Sequence, residues 1–308
     1  MQVLNLSAEP LGKLYSWLPH DLAAESVVFL PDACPGKAPL PTGTVVLTRQ
    51  QDWRRFTVSD CGCGMRLLRS TMRPDQLTSE AWNALADALR RQKGGLGDLG
   101  GGNHFLDALA SYRDQRLHLL IHTGSRMESG HVDRFVDQPA TFDREFARVV
   151  EWAARNRAAV QDLAESVLGP LEMVLDLPHN SFESLPEGGT VIRKGAVRVT
   201  PGELNIIPSH MAGDVTLVRA TGRVTESLFS LSHGTGRTMS RSESKTLADA
   251  MDFKALRAKI LLPEGLQDAS LRSEGPQAYR DLDACLDLLE GYVEEVDRFE
   301  VVGYMGHL

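Results

Sequence analysis

The distribution of apolar and polar residues along the chain predicts a mixture of short strands and amphipathic helices. Runs rich in Val, Ile and Leu that are bounded by Gly or Pro are typical of strands. Six such runs are present, namely VVFLP, TVVLTR, LHLLIH, LEMVLDLP, DVTLVRATG and FEVVGY. They do not alternate with helices as regular βαβ units would, so the pattern predicts an α+β fold.

Four segments have the apolar spacing of an amphipathic helix. The first is SEAWNALADALRRQ, for which Thr78 or Ser79 is the expected N-cap and Gly94 the stop. The others are DREFARVVEWAARNRAAVQDLAESVLG, ESKTLADAMDFKALRAKI and QAYRDLDACLDLLEGYVEEV. The glycine-rich segments GGLGDLGGGNHF and HGTGR interrupt these patterns and are predicted to be loops.

Composition narrows the class of protein. The chain has 308 residues, 42% hydrophobic and 24% charged, which is ordinary for a globular protein. No apolar run reaches the ~18 residues of a membrane span, and the N-terminus lacks a signal-peptide pattern. A formal net charge of −8 argues against indiscriminate coating of nucleic acid. The nearly adjacent Cys61 and Cys63 suit a site better than a disulfide framework, which predicts a reducing, cytoplasmic setting.

Several residues that could bind metal occur near predicted strand ends or in predicted loops. Asp60 and Cys63 lie three positions apart in SDCGCGM, and His104 ends a glycine-rich loop. His122 and His179 each follow an apolar run. One Asp, one Cys and three His suit one borderline divalent ion, or two that share the thiolate. Taken singly, each is also typical of a turn aspartate, a buried thiol or a hydrogen-bonded histidine.

The segment LSHGTGRTMSR places a histidine beside two glycines and an arginine. Gly234 and Gly236 allow the backbone to approach a ligand closely. Arg237 is shaped to bind phosphate, and His233 would have a ring nitrogen next to it. The segment is therefore a candidate phosphate-binding loop.

Six motifs in order resemble those of the RtcB-type RNA ligases: SDCGCGMRLLRS, DLGGGNHFLD, LIHTGSRMESGH, DLPHNSF, VIRKGAVRV and SHGTGRTMSR. The resemblance runs from VVFLPDACPGK to the C-terminus. It implies a single catalytic domain over residues 1–308, with mixed sheets around a central cleft for metal and nucleotide. That family uses two manganese ions and GTP to join a 3′-phosphate or 2′,3′-cyclic-phosphate RNA end to a 5′-hydroxyl end.

The resemblance also implies a role for each motif residue. His233 is implied as the catalytic nucleophile that becomes guanylylated, and the Cys63 thiolate as a bridge between the ions. The implied metal ligands are Asp60, Cys63, His104, His122 and His179. The implied nucleotide-binding residues are Asn103, Asn180, His233, Gly234, Gly236 and Arg237.

Some positions depart from the family pattern. Asp107 replaces a glutamate that reads guanine, Met305-Gly306 replace a Lys-Gly pair, and Cys34 stands where histidine is usual. The chain thus resembles a short bacterial branch that is associated with a release-factor-like protein. The implied partners are the ends of broken tRNA or rRNA, GTP, and a protein activator or release-factor-like protein, without membrane association.

Two other functions are compatible with the same residues. A dinuclear metal phosphoesterase would process terminal or cyclic phosphates of RNA without joining ends, and would not need a nucleotide on His233. A binder of RNA ends or nucleotides that has lost catalysis would not need Asp60, Cys63 or His233. The presence of these three residues argues against the binder.

Overall fold

A computed structural model describes residues 1–36, 38–56, 59–125, 128, 130–247, 251–266, 271–306 and 308. Within these residues six α-helices are present: α1 (Leu11–Tyr15), α2 (Ser79–Arg90), α3 (Pro139–Leu168), α4 (Arg241–Leu247), α5 (Phe253–Lys259) and α6 (Leu282–Leu288). None of the described helices combines the length and the apolar character that a membrane crossing requires.

The described strands form three sheets. A five-stranded sheet has the order β1 (Gln2–Asn5), β2 (Ala24–Cys34), β3 (Thr42–Thr48), β9 (Thr190–Lys194), β8 (Asn180–Ser184). A seven-stranded sheet has the order β11 (Leu204–Pro208), β12 (Asp214–Ala220), β14 (Val293–Gly306), β5 (Phe105–Ser111), β6 (Leu117–Thr123), β4 (Gly64–Ser70), β7 (Leu171–Pro178). A two-stranded sheet pairs β10 (Ala196–Arg198) with β13 (Ser230–Ser232).

The seven-stranded sheet buries both of its faces. Successive side chains of a strand point to opposite sides, and on one side Leu119 of β6 packs with Trp82 of α2 and Val160 of α3. On the other side Leu120 packs with Phe299 of β14 and with residues of α5. The sheets are antiparallel apart from the parallel pair β1–β2. The predicted α+β class is confirmed.

Strand register brings the candidate ligands to one edge of this sheet. Gly64, which starts β4 directly after Cys63, pairs with Thr123 at the end of β6 and with Pro178 at the end of β7. Phe105, which starts β5 directly after His104, pairs with His122. Antiparallel pairing therefore places the start of β4 and β5 beside the end of β6 and β7.

Most of the predicted elements are confirmed. Each of the six apolar runs lies in a strand over all or most of its length. Helix α2 begins at the predicted N-cap, where the Thr78 hydroxyl accepts a hydrogen bond of 3.2 Å from the Ala81 amide. Helix α3 starts at Pro139, a few residues earlier than predicted, and ends before Gly169 as predicted.

Two helix predictions are wrong in extent. Within ESKTLADAMDFKALRAKI, α4 ends at Leu247 and a separate helix begins after Asp252, whose carboxylate accepts a bond of 2.9 Å from the Ala255 amide. Residues 248–250 of this prediction lie outside the described residues. In QAYRDLDACLDLLEGYVEEV only α6 is α-helical, and Val293 opens β14 because it pairs with Ala220 of β12. Long-range pairing overrides helical spacing there.

The strand β6 that carries His122 should be highly sensitive to loss of apolar volume. Leu119 is fully buried, and we expect Leu119→Ala to lower the free energy of unfolding by about 2–5 kcal/mol through lost burial and the cavity left behind. Urea denaturation would measure this. Met173→Ala on edge strand β7, where the side chain is 53% exposed, is the control and should change stability by less than about 0.5 kcal/mol. Equal losses in both variants would contradict this account of the core.

Candidate metal centre and nucleophile

Four segments at this sheet edge converge on a cluster of side chains able to hold metal ions. Ligand atoms of Cys63, His122 and His179 lie within 4.8 Å of one another, and so do those of Asp60, Cys63 and His104. The Cys63 sulfur belongs to both groups, since Sγ lies 3.4 Å from His104 Nε2 and 3.3 Å from His122 Nε2. The structure thus brings all five sequence-predicted ligands together.

The chemistry of this donor set fits a pair of divalent ions. Cys63, His104, His122 and His179 are each 2% exposed, and Asp60 Oδ2 lies 3.0 Å from His104 Nε2. Imidazole, thiolate and carboxylate together suit borderline ions such as Mn, Fe, Co or Zn. The Cys63 sulfur is common to both groups of three ligands, so two adjacent ions could share it.

Burial keeps two of the imidazoles neutral. It lowers the pKa of His122 well below the ordinary histidine value, and positive charge on His104 or His233 would lower it further. Burial also lowers the pKa of His179 well below that value, with His233 and His122 adding to the effect. Neutral imidazole is the form that ligates a metal, so both rings are in the protonation state that metal binding requires.

The orientation of Asp60 depends on a glycine. The Ser125 amide donates a hydrogen bond of 2.8 Å to Asp60 Oδ1, which leaves Oδ2 facing the cluster. A Cβ atom at Gly124 would lie 2.5 Å from that same Oδ1 and 2.8 Å from the Cβ of Cys63. Only glycine lets the chain after β6 pass this close to both groups.

His233 lies against the cluster and is oriented by a buried carboxylate. Its ring centroid is 4.4 Å from that of His179. His233 Nδ1 lies 2.6 Å from Asp32 Oδ2 and 2.9 Å from the Gly195 carbonyl oxygen. Both partners are acceptors, so Nδ1 carries a proton, and in the neutral ring this leaves the lone pair on Nε2. His233 is thereby held in the tautomer that a nucleophile requires.

The loop after His233 is held against β2. Gly236 has a φ of 74°, and a Cβ atom there would lie 2.6 Å from the Asp32 Cα and 2.8 Å from Arg280 Nη1. Glycine is therefore needed for both the conformation and the approach. Gly234, earlier in the same loop, lies against the carbonyl of Pro208.

The two predicted asparagines occupy different positions. Asn180 is buried, donates from Nδ2 to the carbonyls of Ser59 and Asp60 at 3.1 Å, and accepts from the Gly195 amide at 2.9 Å. Its side-chain amide thus links the Asp60 loop to the Gly195 turn. Asn103 is half-buried and immediately precedes His104. A nucleotide contact by either residue stays a prediction.

Arg237 has hydrogen-bond partners within the protein, and Asp107 is buried. Arg237 Nη1 lies 3.3 Å from Glu274 Oε2, and its Nε donates to the Met239 carbonyl at 3.1 Å. Asp107 lies in β5 opposite Tyr304, and burial raises the pKa of its carboxyl well above the ordinary value. Their roles towards a nucleotide also stay predictions.

A family model described as "tRNA-splicing ligase RtcB" matches residues 142–306, which is more than half of the chain. The chain belongs to the RtcB family. The resemblance carried by the six motifs is therefore confirmed, and the matched region includes His179 and His233.

Curated relatives from bacteria and archaea agree with this assignment. The "RNA-splicing ligase RtcB" of Escherichia coli K12 is 28% identical over 244 residues, which cover 65% of this chain and 58% of that relative. The "RNA-splicing ligase RtcB2" of E. coli ATCC 25922 is 26% identical over an alignment of 336 positions. This alignment covers 90% of this chain and 87% of that relative. The "tRNA-splicing ligase RtcB" of Nanoarchaeum equitans is 29% identical over 266 residues, covering 64% and 56%. The chain thus spans little more than half the length of two of these RtcB proteins.

Sequence analysis missed two groups that orient His233. Asp32 directly follows the apolar run VVFLP, and that position could have drawn attention to it. The Gly195 carbonyl carried no signal, because any residue type offers a carbonyl.

The shared thiol gives a direct test of the metal centre. We expect Cys63→Ser to lose metal, because a hydroxyl is a poor ligand where both ions would share a thiolate. Metal content after loading with Mn²⁺ or Co²⁺ and desalting would measure this by mass spectrometry. Cys61→Ser is the matched control: Cys61 is equally buried but packs in an apolar cluster. Full metal content in Cys63→Ser would contradict the bridging role.

Proposed function

We propose that the protein is a metal-dependent RNA ligase that works through a covalent nucleotide on His233. The observation that carries the proposal is the position of His233, oriented by Asp32 and in ring contact with His179 of the metal cluster. The names of its RtcB relatives as RNA-splicing and tRNA-splicing ligases support the same reaction class.

The residues that would hold two divalent ions, which we propose to be Mn²⁺, are Asp60, Cys63, His104, His122 and His179. Bound ions would neutralise the negative charge of the reacting phosphates and of the leaving group. The protein contributes a buried setting in which this charge compensation acts strongly.

His233 performs the first step of the proposed reaction. Its Nε2 lone pair attacks the α-phosphorus of GTP, a nitrogen–phosphorus bond forms, and pyrophosphate leaves. The proton on Nδ1 stays directed at Asp32 Oδ2, and the carboxylate stabilises the positive charge that develops on the ring. The backbone at Gly234 and Gly236 would lie along the phosphates.

In the second step, an oxygen of the RNA 3′-phosphate attacks the phosphorus of the GMP on His233. The bond between that phosphorus and Nε2 breaks, which frees His233. In the third step the 5′-hydroxyl of the other RNA end attacks the activated phosphate, and GMP leaves as the new phosphodiester bond forms. Splitting one difficult joining reaction into transfers is the advantage of covalent catalysis.

The same proposal extends to the setting of the enzyme. We infer one catalytic domain over residues 1–308, because the site draws on residues from Asp32 to His233. All four cysteines are free thiols, which suits a reducing, cytoplasmic compartment. RNA ends from broken tRNA or rRNA are the proposed substrates, and a protein activator or release-factor-like partner stays a prediction.

Covalent labelling tests the proposed function. We expect the protein incubated with Mn²⁺ and α-labelled GTP to retain an acid-labile label, since phosphorus bound to a histidine nitrogen hydrolyses in acid. His233→Ala should abolish the label, and His20→Ala, which changes an exposed histidine, should retain it. A parallel reaction with ATP reports which base is accepted.

Two outcomes would contradict the ligase. Absence of label in the wild type with each of GTP, ATP, CTP and UTP would do so, as would a label unaffected by His233→Ala. Cleavage of a 2′,3′-cyclic-phosphate oligonucleotide without any nucleotide, and without joining, would identify a dinuclear phosphoesterase instead.

Asp32 should matter through the ring of His233. We expect Asp32→Asn to reduce the rate of labelling by on the order of 100-fold or more, because the amide provides no negative charge opposite Nδ1 and its NH₂ group favours the wrong tautomer. Rapid-quench labelling would measure the rate, and metal content should stay full because Asp32 is not in the cluster. An unchanged rate would remove Asp32 from the mechanism.

A further inference from the structure

Helix α3 buries two consecutive polar residues in its middle. Asn156 is 1% exposed and Arg157 is 2% exposed. Burying an amide or a guanidinium costs free energy unless each polar group finds a partner. The partners of these two side chains lie on the segments that carry the candidate metal ligands.

Arg157 contacts two of these segments through one nitrogen. Its Nη1 donates to the Gly62 carbonyl at 2.9 Å and to the Thr123 carbonyl at 3.3 Å. Gly62 directly precedes Cys63, and Thr123 directly follows His122. The guanidinium therefore joins the backbone beside the shared thiol to the backbone beside an imidazole.

Arg157 also contacts the segment that leads to His179. Its Nε lies 2.5 Å from Asp176 Oδ1 in β7, three residues before His179. The second oxygen of Asp176 accepts bonds of 3.1 Å and 2.6 Å from Nε and Nη2 of Arg66. Asp176 thus compensates the buried charge of Arg157 and fixes its position.

Asn156 contacts the segment that leads to His104. Its Oδ1 accepts a bond of 2.7 Å from the Gly97 amide, and its Nδ2 donates to the Asp98 carbonyl at 2.9 Å. The same Nδ2 donates to Thr123 Oγ1 at 3.2 Å, and that hydroxyl donates to the Leu99 carbonyl at 2.8 Å. The glycine-rich loop is therefore held to both α3 and the end of β6.

We propose that Asn156 and Arg157 are positioning residues of the metal centre, which together set the spacing of all four ligand-bearing segments. The inference rests on the proposed function, since it assumes that the cluster binds metal. Arg157 bonds to the backbone beside Cys63 and His122 and to Asp176, whereas Asn156 bonds to the backbone of the loop before His104 and to the Thr123 hydroxyl. Both therefore act through those groups. Because the segments are already fixed when the protein folds, metal binding has a smaller entropic cost of ordering them.

Their contacts are also complementary. Arg157 holds the segments of Cys63, His122 and His179, whereas Asn156 holds the segment of His104 to that of His122. Both side chains hydrogen-bond to Thr123. Loss of Arg157 should therefore loosen the segments of Cys63, His122 and His179 from one another, and loss of Asn156 should loosen the segment of His104. Neither change removes a ligand.

Cobalt titration of the full chain tests the proposal. Co²⁺ bound to thiolate gives a charge-transfer absorption that reports on Cys63, and its d–d bands report coordination geometry. We expect Arg157→Lys and Asn156→Asp to bind Co²⁺ roughly 10–100-fold more weakly than wild type, the usual cost of losing a group that orients a ligand. We also expect altered d–d bands, which loss of global stability alone would not produce.

Arg66→Lys is the matched control for the arginine. Arg66 is largely buried and binds the same Asp176, but its remaining bond goes to the Gln161 side chain at 3.0 Å. It should bind Co²⁺ as tightly as wild type. Circular dichroism and thermal unfolding without metal establish which variants are folded. Asn156→Asp keeps the acceptor for Gly97 and changes one group, so it tests the proposal even where Arg157→Lys unfolds.

The outcomes separate this inference from the proposed function. A wild type without Co²⁺ absorption from a thiolate ligand would overturn the metal centre, and the inference with it. A wild type that binds Co²⁺ while folded Arg157→Lys or Asn156→Asp binds it equally tightly would overturn the positioning role alone. Weakening of the same size in Arg66→Lys would also overturn it, because the effect would then belong to Asp176.

Discussion

The site depends on one constraint: a single buried sulfur, Cys63 Sγ, has to lie within contact of imidazoles that come from different segments of the chain. Buried polar groups without partners are costly, so the cluster persists only where the fold imposes it. The register of β4 against β6 and β7 provides that constraint, because it aligns Gly64 with both Thr123 and Pro178. The donor atoms are close because their backbones are paired.

His233, the proposed nucleophile, approaches this cluster from the other sheets. Asp32 belongs to β2 of the five-stranded sheet, Gly195 joins β9 to β10, and His233 directly follows β13. The site therefore lies where the seven-stranded sheet meets the smaller ones, and each side supplies a different function. One supplies the candidate metal ligands, and the other supplies a histidine whose Nδ1 is fixed by its neighbours.

Local patterns predicted local structure well. LHLLIH lies in β6, and α2 begins at its Thr78 cap. The predictions failed where distant partners decide. The segment after Gly291 has helical spacing but becomes β14 through its pairing with β12. The strand β4 was not recognised because both of its faces are buried, and such strands lack the alternation that identifies a half-buried one.

The sequence by itself determined the residue types of the site and the RtcB family, because ligand chemistry and motif order are properties of the chain. Only the tertiary structure decided which atoms meet. The Cys63 sulfur is common to both ligand groups, and His233 takes its tautomer from Asp32, 201 positions away. Arg157 reaches Gly62 across 95 positions. Hydrogen bonds over such separations leave no periodic trace in a sequence, since they depend on strand register and helix packing rather than on neighbouring residues.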